Sequence, residues 1–205
     1  MIYFANPSTP TIRAAMTAGR LGCIITPKQG NLIPDGATYI ADNGCFGKGY
    51  PGDTAWYQWL TTRNPTNCVF ATAPDALCDH QRTYLRADPW LDRIRDLGHR
   101  AAFVAQNGCR PNKLAWDRFD VLFIGGDDPF KLGPIARDLA TQAKDHGKWV
   151  HMGRVNSHRR IRYAKDIGCH SADGTHLAFG PDINLPIVEG WLTKMRTNPT
   201  LFDED

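Results

Sequence analysis

The stretch VLFIGGDDPFKLGPIARDLATQAKDHGKWVHMG, residues 121–153, decides how this chain is read. It opens on an apolar run, Val121 to Gly125, passes through a glycine-acid turn, and continues into a helical pattern that stops at Gly147. A second apolar run, Trp149 to Gly153, follows at once. Runs this short and this apolar have the length of strands buried on both faces, and the glycine suits a helix C-cap. Strand, helix and strand in that order form the unit from which parallel sheets are built.

The same alternation extends outward in both directions. Apolar runs recur at 2–5 (IYFA), 21–26 (LGCIIT), 37–41 (ATYIA), 68–73 (CVFATA), 101–105 (AAFVA) and 169–172 (CHSA), which with the two above makes eight candidate strands. Helical patterns lie between them: TPTIRAAMTAG, DTAWYQWLTTR, TYLRADPWLDRIRDLG, GPIARDLATQAKDHG and SHRRIRYAKDIG. The link PKQGNLIPDG between the second and third strands is too short for a full helix, so that crossover is expected to be irregular. Eight such units in 205 residues predict an α/β fold, a small (β/α)8 TIM-type barrel with few insertions, occupying 1–205 as a single domain. An open doubly wound sheet is the alternative. The acidic tail FDED is expected to fray.

Composition excludes several classes. At 42% hydrophobic and 22% charged the chain is ordinarily globular, without a long apolar span or a basic-then-apolar leader, so the expectation is a cytoplasmic protein with no membrane partner. A net charge of +3 does not by itself argue for nucleic acid, which requires basic residues clustered locally. The six cysteines, Cys23, Cys45, Cys68, Cys78, Cys109 and Cys169, stand singly, as reduced and mostly buried strand residues would. The nearest approach to a metal motif is Cys169-His170 with His176. Strand alternation would send Cys169 and His170 to opposite faces, so no metal and no cofactor is expected.

Barrels of this kind carry their reactive groups where strands end and βα loops begin. That filter selects Asp42 after the third strand, Asp75 and Asp79 after the fourth, Gln106 after the fifth, Gly125 to Asp128 after the sixth, Gly153 to Ser157 after the seventh, and Asp173 after the eighth. Each has a plainer reading. Asp42 before Asn43-Gly44, Asp127-Asp128 before Pro129, and Asp173 before Gly174 are turn or cap residues in many proteins, and Asp75 after Pro74 suits a helix cap. What strengthens the functional reading is that all of them fall at the same end of successive strands.

The ordered set ADNGCF, PDALCDH, FVAQNG, LFIGGDD and WVHMGRVNSHRRIRYAKDIGCHSADGT resembles the queuine/archaeosine tRNA-guanine transglycosylase superfamily, and in particular its compact 7-deazaguanine DNA-modification branch of phages and bacteria. The resemblance runs from about Ala37 to Thr175. It implies that Asp173 is the nucleophile and Asp42 the acid of a motif that reads Asp42-Asn43-Gly44-Cys45-Phe46 here, with Ser and one Gly replaced. It further implies that Asp79 grips the guanine edge, that Gln106 supplies an amide, and that Gly125-Gly126 offers a backbone N–H to the base. Asn43 and Asp75 join that substrate-binding set. The zinc motif of the tRNA members is lacking, which turns the expectation from tRNA toward DNA.

The residue types suit that chemistry. Breaking a glycosidic bond through an oxocarbenium-like transition state uses one carboxylate as nucleophile and a second carboxyl group as acid and base, with retention. A carboxylate accepts from N1–H and the 2-amino group of guanine, while an amide donates to O6. Arg154, Arg159, Arg160, Arg162 and Lys165 crowd the segment after the seventh strand, where barrels hold phosphate, and are assigned to nucleic-acid binding, with Arg154 and Arg159 nearest the rim. The expected partners are DNA, alternatively tRNA, and a free 7-deazaguanine base such as 7-cyano-7-deazaguanine, acting in the cytoplasm, the host's if the chain is phage-encoded. A non-catalytic nucleic-acid-binding partner subunit is the second functional class, and a barrel enzyme for a small phosphorylated substrate the third. A homodimer is compatible with the sequence but not written in it.

Overall fold

A computed structural model of the chain describes residues 1–30, 32–47 and 49–197. Eight strands form one closed, all-parallel barrel in sequence order: β1 (Ile2–Ala5), β2 (Gly22–Ile25), β3 (Tyr39–Ala41), β4 (Cys68–Thr72), β5 (Ala101–Ala105), β6 (Val121–Ile124), β7 (Trp149–Met152) and β8 (Ser171–Asp173). The open-sheet alternative is thereby excluded, since β1 pairs with both β2 and β8. The FDED tail lies outside the described residues.

Six helices flank the strands: α1 (Pro10–Thr17), α2 (Asp53–Leu60), α3 (His80–Asp96), α5 (Pro134–Asp145), α6 (His158–Asp166) and α7 (Pro181–Thr197). A one-turn helix, α4 (Asp128–Lys131), precedes α5. Among the described residues the β2–β3 link carries no helix, as its length required. The β5–β6 link is a second irregular crossover, with 3-10 turns at Pro111–Lys113 and Trp116–Arg118. There Phe119 stacks on Phe103 at 5.6 Å between ring centres and covers the barrel where a helix would otherwise lie. The strong helix absent from the sequence reading is α7, whose interior holds Pro186 and Gly190, two residues that argue against a helix. Packing against α1 and α6 overrides them, through buried Leu185, Val188 and Leu192.

Two apolar regions follow from strand alternation. Outward-facing residues such as Ala5, Ala41, Ile124, Val150 and Met152 pack under the helices. Inside the barrel, Phe4, Ile40, Phe70, Ala102, Val104, Val121 and Phe123 fill the interior, so it is a packed core rather than a pore. The same inward period continues past the strand ends. It turns Asp42, Gln106, Gly125, Gly153 and Asp173 toward the axis at the C-terminal face.

Candidate active site

At that face the βα loops enclose a cavity of about 750 Å³. Asp42, Asn43, Asp75, Gln106, Gly125, Gly126, Arg154, Arg160 and Asp173 all line it. Asp173 ends β8, and its carboxylate is held on both oxygens. Oδ1 accepts the Arg154 backbone N–H at 3.2 Å, and Oδ2 lies 2.9 Å from His151 Nε2. Its side chain keeps 14% of its surface open toward the cavity, enough for a reacting atom to approach.

Asp42 follows β3 and lines the same cavity. Its Oδ1 accepts the Gly44 N–H at 2.8 Å. Burial pushes its carboxyl up to about 7, and the neighbouring charges of Asp173 and, less strongly, Asp75 add to this. A carboxyl group poised at neutrality can give or take a proton there, whereas an unperturbed aspartate could only remain ionised.

Asp75 is 6% exposed and sits between two amides. Its Oδ1 accepts from Asn43 Nδ2 at 2.9 Å and its Oδ2 from Gln106 Nε2 at 2.6 Å. The amides are anchored in turn: Asn43 Oδ1 accepts the Cys45 N–H at 2.7 Å, and Gln106 Oε1 the Cys78 N–H at 2.9 Å. Burial raises the Asp75 carboxyl, and the two amide donors pull against that rise. Each carboxylate oxygen has further lone-pair capacity, so the group can still accept from a bound molecule.

Asp79 is elsewhere. It is the N-cap of α3, its side chain accepting the Arg82 N–H at 2.9 Å, and it does not line the cavity. The expectation that Asp79 faces the ligand is therefore corrected: the acid beside Gln106 is Asp75. The helix starts at His80, earlier than the Thr83 of the sequence pattern, which makes Asp79 the cap and releases Asp75 to turn inward.

The glycine pair is also more constrained than expected. The Gly125 N–H donates to the Ala105 carbonyl at 3.0 Å, so it is spent on the barrel and not offered to a ligand. A Cβ on Gly125 would fall 2.8 Å from Val104 Cγ1, and one on Gly126, where φ is +77°, would fall 2.5 Å from Phe130 Cδ1. Both glycines are thus required by packing of the turn itself.

The basic segment divides. Arg154 and Arg160 line the cavity, Arg154 with its guanidinium 4.4 Å from the Phe46 ring centre and Arg160 paired with Asp128. Arg159 is exposed on α6 and does not line the cavity, which reverses the expected order of Arg159 and Arg160. Arg162 is exposed and 3.9 Å from Asp166, and Lys165 is half-buried further along the same helix. Cys169 is buried and His170 exposed, as alternation required, with His170 stacked on Trp149 and accepting the Val150 N–H.

Three residues of the site escaped the sequence reading. His151 is fully buried beneath Asp173, inside the barrel. Lys131, 1% exposed, reaches the carbonyls of Gly153 at 3.3 Å and Arg154 at 3.5 Å and braces the loop that carries Arg154. Thr72, on the cavity wall, is 1% exposed, and its hydroxyl has no hydrogen-bond partner among the described residues. The inward period of β4 and β7 was the available signal for Thr72 and His151; Lys131 left none beyond its spacing from Asp128.

Fold and geometry together define a (β/α)8 barrel with five aspartates among the described residues lining one C-terminal cavity: Asp42, Asp75 and Asp173, with Asp127 as the cap of α4 and Asp128 paired with Arg160. The chain matches no family model and no curated protein. Among solved structures it is similar to L-talarate dehydratase from a Polaromonas species, in complex with Mg and L-glucarate, at 13% identity and a TM-score of 0.45, covering 86% of this chain and 51% of that one. This chain thus spans about half the length of that enzyme, and a likeness so distant says nothing about the reaction here. No helix among the described residues is long and apolar enough to cross a membrane.

Proposed function

We propose that the protein is a base-exchanging transglycosylase that replaces guanine in DNA with a 7-deazaguanine through a covalent sugar–Asp173 intermediate. The observation that carries this reading is that Asp42 and Asp173 line one cavity, close enough for the Asp173 charge to help raise Asp42 to about 7. In the first half-reaction Asp173 attacks C1′, the bond from C1′ to the purine nitrogen breaks with its electron pair going to guanine, and Asp42 supplies the proton that guanine takes up. In the second half the incoming base gives its proton to Asp42, its nitrogen attacks C1′, and the bond to Asp173 breaks. Two inversions retain the sugar configuration.

Asp75 supports the guanine preference. Held by two amides, it is an ionisable acceptor pair for N1–H and the 2-amino group, and adenine offers no matching donors there. Reaching the base requires lifting it from its stack, and Arg154 and Arg160 at the same rim are suited to the flanking phosphates.

The test is to incubate the protein with DNA, or with tRNA, and a labelled 7-deazaguanine, then digest and count. Label in DNA that depends on Asp173 is the expected result. Label only in tRNA moves the substrate to the near neighbour of this chemistry, and label in neither removes the reaction.

A further inference from the structure

The interior of the barrel below Asp173 holds a polar chain in an otherwise apolar core. On β7, Trp149 and His151 face inward; on β8, Ser171 and Asp173 do the same, and the register sets His151 opposite Ser171. Trp149 Nε1 donates to Ser171 Oγ at 2.8 Å, Ser171 Oγ lies 2.9 Å from His151 Nδ1, and His151 Nε2 lies 2.9 Å from Asp173 Oδ2. The rings of Phe123, Phe70 and Phe4 surround the imidazole at 4.5, 5.1 and 6.1 Å between centres.

Hydrogen accounting orients the chain. An indole N–H only donates, so Ser171 Oγ accepts from Trp149 and is free to direct its own hydrogen to His151 Nδ1. A bare ring nitrogen 2.9 Å from a carboxylate oxygen would be repulsive, so Nε2 carries the imidazole hydrogen and gives it to Asp173. All three bonds then point the same way, and each polarises the next toward the carboxylate.

We propose that His151, locked by Ser171 and Trp149, is a positioning residue that fixes the Asp173 carboxylate for attack, by holding Oδ2 while the Arg154 N–H holds Oδ1. The free lone pairs are thereby left facing the cavity. Asp173 ends a strand of only three residues, and without this support its side chain would be free to rotate out of line. The role rests on the reading of Asp173 as the nucleophile.

Two measurements test it. The first needs no reaction: nitrogen-15 NMR of the imidazole in the intact protein is expected to show His151 with hydrogen on Nε2 and a bare, hydrogen-bonded Nδ1, and the opposite tautomer overturns the proposal. The second compares His151→Phe, which keeps the ring and loses the donor, with His151→Gln, whose amide nitrogen can replace Nε2. In His151→Phe formation of the covalent sugar adduct is expected to slow by up to about 100-fold, the cost of a misplaced reacting group. Affinity for free guanine should stay within about twofold, while His151→Gln should recover most of the lost rate. Equal rates in the two variants, or a loss that follows guanine affinity instead of adduct formation, overturns the proposal. Ser171→Ala, which retains the imidazole, serves where His151→Phe fails to fold, and it should release the tautomer and slow the adduct step; an unchanged tautomer and rate count against the chain. A wild-type protein that exchanges no base defeats the transglycosylase reading, while the tautomer still decides whether the chain exists.

Discussion

The two walls of the cavity hold their carboxylates in opposite ways. On the β4–β5 wall Asp75 is almost closed off and tied to Asn43 and Gln106, two neutral amides that are themselves tied to backbone N–H groups. On the β7–β8 wall Asp173 is open to the cavity and backed by a histidine and one backbone N–H. A carboxylate held by one rigid amide on each oxygen keeps its position and its remaining lone pairs and suits recognition. One braced from behind and bare in front suits attack. Asp42 stands between them with a Gly44 N–H and a raised carboxyl, in a place where a proton can change hands.

The largest expected effect breaks the comparison at Asp173. Asp173→Asn keeps the volume of the side chain, but its NH2 must face one of the two donors that hold the carboxylate, and it is a far weaker nucleophile, so base exchange should fall by at least about 10³-fold while the barrel still folds. Wild-type-like turnover in a single-turnover label assay would remove the assignment of the two walls altogether.

Next comes Asp75 against Asp79. Asp75→Ala leaves the Asn43 and Gln106 donors and the guanine edge unpaired, and guanine binding by calorimetry should weaken by about 100-fold, on the order of 2–3 kcal/mol. Asp79→Ala should leave binding unchanged and cost about 1 kcal/mol of stability in urea titration, the loss of a helix cap. Should Asp79→Ala weaken binding as much as Asp75→Ala, the recognition wall is wrongly drawn.

The third concerns Asp42 and pH. In the unfolded chain its carboxyl ionises near the ordinary value of about 4, and in the folded protein near 7. Between these values the folded state binds the extra proton, so this group's contribution to stability falls as pH rises across that window. Asp42→Asn should reduce that slope without abolishing it, because Asp75 is raised by the same burial and adds a slope of the same sign. Removing the Asp173 charge, by Asp173→Asn, should shift the Asp42 step to lower pH. Urea unfolding at about pH 5 and 7.5 reads both, and an unaltered slope in Asp42→Asn would take the proton-transfer group out of the cavity.

The smallest effect separates the cationic residues. Arg160→Ala, at the cavity rim, should flatten the salt dependence of DNA binding by roughly one contact, and Arg159→Ala, off the cavity, by less than roughly half of that. Equal slopes would mean that the DNA path follows the exposed face of α6 rather than the rim.

The strands, their order and the inward face at the strand ends were legible along the chain, because a buried parallel strand writes itself as an apolar run and its side chains alternate with period two, whereas closure against the open-sheet alternative was decided by the pairing of β1 with β8. Eight such runs in 205 residues favour a barrel over an open doubly wound sheet, and the rule of strand ends then picks out Asp42, Gln106 and Asp173. Loop chemistry was less legible. Asp75 and Asp79 are four residues apart in one βα loop, and which of them turns inward depends on where α3 begins and on the Cys78 backbone at φ +56°. Only the folded loop settles that. α7 was hidden because its Pro186 and Gly190 oppose local helix formation, and burial against α1 and α6 outweighs a local preference worth about 1 kcal/mol for the glycine. His151 and Ser171 look like ordinary strand residues until register sets them side by side, since hydrogen bonds between strands depend on the stagger of the barrel, and the sequence of either strand alone carries no record of it.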